Sequence, residues 1–179
     1  MFTVILILLP VLSWFIWSYN RLVRDRVRVE TGWSDIGVQL KRRHDLIPKL
    51  VTAVKEYASY ESATLEAIIA LRNNASEPDD ATSADQAGIS ERAISTALKQ
   101  LIAVAEQYPD LTANKSYLDL QKNLTNVEHH LQFARRYYNG AVRNLNIRID
   151  SFPDLFIARA LGFRKAIFFE FEDVTEGEA

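Results

Sequence analysis

Hydrophobic residues crowd the first seventeen positions of the chain and then spread out into periodic arrays. The opening run, Met1 to Trp17 (MFTVILILLPVLSWFIW), carries no charge, and none follows until Arg21. As a helix it would rise roughly 25 Å, slightly short of a bilayer's hydrocarbon core, and Ser18 and Tyr19 would carry it into the headgroup layer. Trp14, Trp17 and Tyr19 gather at its C-terminal end, where amphipathic rings favour that layer. Pro10 would break a helix in water, but membrane helices tolerate proline. A core helix is apolar on one face, whereas this run is apolar on all of them. A cleaved signal peptide needs a basic leader and small residues at the cut, and here the run ends in Trp-Ser-Tyr-Asn. Residues 1–19 are therefore expected to form a single-pass transmembrane anchor. Arg21, Arg24, Arg26 and Arg28 follow the run and no basic residue precedes it. Positive charge stays on the cytoplasmic side, so the body is expected in the cytoplasm and the N-terminus outside.

After the anchor the spacing becomes three, four or seven. Tyr19, Leu22, Val29, Trp33, Ile36 and Leu40 form a heptad seam that runs to about residue 44, with Arg26 and Arg43 filling two of its positions. Their long stems are expected to lie on apolar surface while the heads reach water. A break is expected near Asp45: Lys41, Arg42 and Arg43 suit a helix C-terminus, Asp45 an N-cap, and Pro48 a first turn. One kinked helix is the alternative. The second helix, to about Asn74, shows one face through Ile47, Leu50, Val51, Val54, Tyr57 and Ala58, continued by Leu65, Ile68 and Ile69. The polar stretch Ser76 to Ala84 reads as the least ordered internal loop. A third helix begins at Ser83, in a capping-box pattern with Gln86, or at Ser90, because Gly88 weakens the start. Its face is Ile94, Ala97, Leu98, Leu101, Val104 and Ala105, and Tyr108-Pro109 ends it.

The fourth helix has the most regular pattern. Tyr117, Leu120, Leu124, Val127, Leu131, Ala134, Tyr138, Ala141 and Leu145 alternate by three and four. From Lys115 to Asp150 it would span roughly 54 Å, and Phe152-Pro153 stops it. Asp154 to Leu161 fits a short helix. Gly162 to Phe171 (GFRKAIFFEF) reads as an extended segment folding back on the bundle. Beyond Lys165 every charge is acidic, and residues 172–179 form an acidic tail. The fold expected is all-α: an N-terminal transmembrane helix leading into an elongated antiparallel four-helix bundle over residues 20–171.

Composition adds mostly exclusions. A net charge of −2 gives no footprint for nucleic acid, and the absence of cysteine removes disulfides, thiolate metal sites and cysteine nucleophiles. His44, His129 and His130 are the only histidines. Three positions before them stand Lys41, Asn126 and Val127, so the Glu-x-x-His of a di-iron bundle is missing. Glu128-His129-His130 is rich in metal-ligating types, but helical neighbours diverge, and a solvated face is expected for all three. There is no His-Glu-x-x-His, phosphate loop or Gly-x-Ser-x-Gly elbow. No catalytic, cofactor-binding or metal-binding residue is assigned, and the chain is not expected to be an enzyme. Lys41-Arg42-Arg43 lies roughly 35 Å along the helix from Ser18, too far to meet lipid. It reads as helix-terminal charge on a wet face.

One polar column stands out. Thr125, Gln132, Asn139 and Asn146 recur every seven residues beside the fourth helix's seam, with Gln121, Glu128 and Arg135 on its other side. Asparagine is a poor helix former. The column is either a wet flank or a set in which Asn139, Asn146, Glu128 and Arg135 bond to neighbouring helices and fix register.

The chain also resembles a known family. Tyr19-Asn20, Leu22-Val23 and Arg26 begin the resemblance; Trp33-Ser34, Ile36, Val38 to Arg43, Asp45 to Pro48 and Leu50-Val51 form its strongest block. Ala103 to Glu106, Tyr108 to Leu111, Leu120-Gln121, Ala134-Arg135, Tyr138-Asn139, Phe152-Pro153, Gly162-Phe163 and Phe168-Phe169 continue it. On these residues the sequence resembles the LemA family of bacterial membrane-anchored proteins over nearly its whole length. Lys49 stands where the family usually has Asn, and Gly32 where Ala is usual; Gly32 is expected to loosen the first helix slightly. The resemblance implies one N-terminal membrane segment, a four-helix bundle, and no family catalytic residue or cofactor to carry over. It implies a bacterial inner-membrane location, and one branch of the family is associated with magnetosome membranes. The expectation is a membrane-tethered scaffold that contacts lipid through residues 1–19 and presents its bundle to partner proteins or to copies of itself. A regulatory subunit of a membrane enzyme such as a protease is the alternative.

Overall fold

The computed structural model describes residues 2–58, 62–74 and 84–169, with side chains from residue 8 onward except at 62, 74, 85 and 86. Six helices follow in order: α1 (Phe2–Lys55), α2 (Ser62–Asn74), α3 (Ala84–Ala105), α4 (Pro109–Thr112), α5 (Lys115–Asp150) and α6 (Asp154–Ala160). Among the described residues there is no strand, and the all-α class holds. The loop Ser76 to Ser83, its Ser83 cap and the acidic tail 172–179 lie outside the described residues.

The expected break at Asp45 is absent: α1 runs through Pro48 as one helix. Its seam explains why. Ser18, Leu22, Asp25, Val29, Trp33, Ile36, Leu40, Arg43, Ile47, Leu50 and Val54 are all buried, at steps of three or four. The seam never changes phase across residues 43–54, so tertiary packing holds the helix together where local signals favoured a stop. Pro48 falls on the solvent side, and the Thr52 hydroxyl donates to its carbonyl at 2.8 Å. The seam also shifts by one residue at two positions: Tyr19 and Arg26 are exposed, while Ser18 and Asp25 occupy the core positions.

The bundle has two halves. In one, the end of α1 from Ile47 onward meets α2, α3 and the start of α5 around Ile47, Leu50, Leu65, Ile68, Ile94, Leu98 and Leu101. In the other, α1 and α5 pair antiparallel around Leu22, Trp33, Ile36, Leu131, Tyr138, Val142 and Ile149. That second half is not a four-helix bundle. It is closed by the N-terminal end of α3, by α6, and by the segment 163–169 (hereafter the strap). The backbones of α1 and α5 come close at Gly32, where a Cβ would lie 3.1 Å from the Cα of Tyr138. So Gly32 permits a close approach of the two helices.

The later boundaries follow their local signals. Asn114 caps α5, its side chain accepting from the amides of Ser116 and Tyr117. α3 takes the earlier of its two possible starts. Gly162, at φ 71°, ends α6 in a Schellman turn: Phe163 N–H donates to Ala158 and Gly162 N–H to Arg159. The turn sends the strap back along α5, as expected from the sequence.

Among the described residues no helix is long and apolar enough to cross a membrane. Seven residues of the apolar run, 1–7, have side chains outside that description, so the anchor expected for residues 1–19 is not carried by the structure.

Candidate functional site

Three polar constellations are built from the seam positions. The first lies where α1, α3 and α5 meet. Arg43 is 1% exposed, so its head does not reach water as expected. It donates to Glu91 at 2.9 Å and to the Ser95 hydroxyl at 2.6 Å, and its Nε lies 2.9 Å from Glu128. His44 is buried too, with Nε2 2.7 Å from the other Glu91 oxygen. Nothing in the sequence singled out His44 for this partner, because the residue three positions before it is Lys41. His129 and His130 are exposed as expected. Glu91 sits three residues before Ile94, on the apolar face of α3, so its carboxylate is carried into the core opposite Arg43.

This cluster holds Ser, His and Glu side chains, yet it is not arranged as a nucleophile site. Ser95 bonds to Arg43 and to the Glu91 carbonyl, not to the imidazole. A carboxylate saturated by an arginine and a histidine, at 2% exposure, has no room for a substrate. Its chemistry is ion pairing, which penalises any register of the three helices that separates the partners.

The second constellation lies at the other end of the α1–α5 pair. Arg148 of α5 pairs with Asp25 of α1 and reaches Asp154 of α6 at 3.4 Å. The Ser18 hydroxyl donates to Asp154 at 2.5 Å, and Arg28 donates to Asp25 at 3.1 Å. Asp25 and Asp154 are both buried. The cluster thus ties α1, the end of α5 and α6 into one body immediately after Trp17.

The third is the polar column of α5. Asn146 donates to the Ala166 carbonyl and accepts from the Ala166 amide, both at 2.9 Å. Asn139 does the same with Phe169, at 3.1 and 2.9 Å. Each side-chain amide thus pairs with a backbone residue as a strand would. Seven helical residues advance about 10.5 Å, and three extended residues about 10 Å, so a heptad ladder matches a strap read at every third residue. The asparagines therefore bond to the strap rather than to neighbouring helices. Of the other column members, Gln132 is exposed and Thr125 bonds back to Gln121 of its own helix. Glu128 does reach a neighbouring helix through Arg43. The Arg135 guanidinium lies 5.3 Å from the Phe169 ring.

Phe169, 1% exposed, closes on Trp33 at 6.1 Å, and Trp33 on Tyr138 at 5.4 Å between ring centroids. The Tyr138 hydroxyl donates to the Ile167 carbonyl at 2.8 Å. Burial pushes its phenol from 10.0 up to about 12. Burial also raises Tyr117, helped by the charge of Glu106.

Among the described residues no group of three or more His, Asp or Glu side chains is placed to hold a metal. Sequence reasoning missed Ser18, Asp25, Arg148 and Asp154, and the Arg43–Glu91 pair. A signal existed: each of Ser18, Asp25, Arg43 and Glu91 interrupts an apolar seam.

The LemA family profile matches residues 32–179. Protein LemA of Metamycoplasma hominis is 28% identical over 156 residues, covering 87% of this chain and 70% of that protein. Magnetosome protein MamQ 2 of Paramagnetospirillum magneticum is 34% identical over 74 residues, covering 41% of this chain and 27% of that protein. Magnetosome protein MamQ of Magnetospirillum gryphiswaldense is 27% identical over 73 residues, with the same two coverages.

Proposed function

The chain belongs to the LemA family, and from that premise we propose that it is a membrane-tethered scaffold whose helical body is held rigidly at a bacterial inner membrane. Residues 1–19 form the anchor and residues 20–171 the working body, which lies in the cytoplasm and offers its flanks to partner proteins or to further copies. The observation that carries this reading is the continuity of α1, which joins the apolar run and the bundle's seam in one helix with no linker between them. The Ser18–Asp154 bond then ties the body to that helix one residue past Trp17. A catalytic role is not proposed, because the ionisable groups gathered in the core are consumed by one another.

Two measurements test it. An integral protein stays with membranes in alkaline carbonate, and deletion of residues 2–17 releases it; extraction of the full chain would overturn the anchor. Crosslinking in intact membranes with mass spectrometry reads the partners. Links between copies, or to several proteins, support a scaffold. Links confined to one membrane enzyme, such as a protease, replace it with a regulatory subunit.

A further inference from the structure

The most conspicuous surface left unexplained is the corner between α5 and α6. Phe152 is 79% exposed, Phe156 63%, Ile147 57% and Leu161 47%, while the opposite face of α6 buries Ile157 and Ala158. Phe152 and Phe156 touch each other edge to face, with centroids 6.0 Å apart. A soluble surface gains nothing from such rings, and contiguous apolar patches mark contact sites.

The height of this corner along α1 identifies what it meets. Asp154, the first residue of α6, accepts from Ser18. Phe163, just after α6, packs edge-on against Tyr19 at 6.3 Å. Trp14 packs onto the core cluster that includes Ile157 and Ala158. So α6 lies beside residues 14–19, the very turns over which the apolar run gives way to polar chain. A bilayer that receives residues up to Trp17 cannot avoid α6.

We propose that the α5–α6 corner is a second membrane contact, in which Phe152, Phe156 and Leu161 enter the interfacial layer of the bilayer that the apolar run crosses. The proposal rests on the anchor reading above. Charge supports a lipid occupant. Arg21, Arg24, Arg159 and Arg164 are exposed around the corner, and Arg21 stacks 4.9 Å over the Trp17 ring. The nearby acids do not oppose them: Asp25 and Asp154 are buried against Arg148, and Asp150 pairs with Lys165 at 2.6 Å. Aromatic rings backed by arginines suit an anionic headgroup layer. With two points of contact instead of one, the body cannot swing freely about the anchor.

The chain has no cysteine, so single labels are straightforward. Nitroxides placed through Leu12→Cys, Phe156→Cys and Phe133→Cys, each a surface position, report depth in vesicles of phosphatidylcholine and phosphatidylglycerol. Collision with oxygen marks lipid, and collision with a water-soluble nickel complex marks solvent. The expected result is oxygen-dominated collision at 12 and 156 and nickel-dominated collision at 133. Nickel-dominated collision at 156 with a lipid-exposed 12 overturns the corner contact and leaves the anchor standing. Solvent at 12 overturns both. Dipolar broadening between labels at 156, in place of oxygen access, means that a second copy covers the corner, and overturns the lipid assignment.

Discussion

Arg43 takes a position that apolar residues hold in most turns of the α1 seam, and the cost of burying its charge is met by Glu91 and Glu128. Removing Glu91 leaves the buried Arg43 with only the part-exposed Glu128 as a counter-charge. Glu91→Leu should therefore lower stability by about 3–5 kcal/mol, and Arg43→Met with Glu91→Leu should recover part of that loss, as read by denaturant unfolding. An equal or greater loss in the double variant would show that the pair is net stabilising and not chiefly a register device. Tyr138 offers a cleaner linkage. Its folded pKa, about 12, lies above the unfolded 10.0. The stability it contributes is complete below pH 10 and is lost as pH rises towards 12, because the unfolded chain gives up the proton first. Melting temperature should fall across that window. Tyr138→Phe, which cannot ionise, should flatten the fall while losing the bond to Ile167 at all pH values.

Elements were legible in the sequence to different degrees. α5 could be read almost to the residue, because its seam and the Phe152-Pro153 stop agree, and the structure adds the Asn114 cap. α1 could not, because Lys41 to Pro48 carries a complete set of stop signals that long-range packing overrides. The seam was nonetheless visible had its polar members been counted as core: Ser18, Asp25 and Arg43 keep the spacing. The asparagine column was visible as a column, but its partner was not. Helical periodicity says nothing of an extended strap that returns from beyond residue 160. The two asparagines satisfy four backbone groups of that strap. Asn139→Leu leaves the Phe169 amide and carbonyl unpaired, at a cost of about 1–3 kcal/mol. Hydrogen exchange should quicken at Phe169 well before it quickens at Leu131 or Val142. Uniform exchange across all three would mean that the strap is no independent unit.

At the scale of the whole molecule, the sequence foretold an all-helical chain and its family, and overstated the uniformity of the bundle. Half of it is a two-helix pair roofed by α6 and the strap, which no seam on α1 or α5 discloses. If residues 1–19 form the anchor proposed above, the positive charges after Trp17 predict one topology. Protease added outside intact spheroplasts should leave the body whole and cut it only after lysis; digestion in intact spheroplasts would invert the orientation. The unbroken α1 has a metric consequence as well. Every residue between Trp17 and Lys55 adds about 1.5 Å, so the turn that follows α1 stands roughly 57 Å along the helix from the end of the apolar run. α1 is in that sense a ruler. Neighbouring copies would hold their distal ends level at one stand-off distance, and a binding partner would have to be tall enough to span it. Deleting two heptads from α1, with the matching residues of α5, would shorten that reach by about 21 Å while leaving the seam in phase.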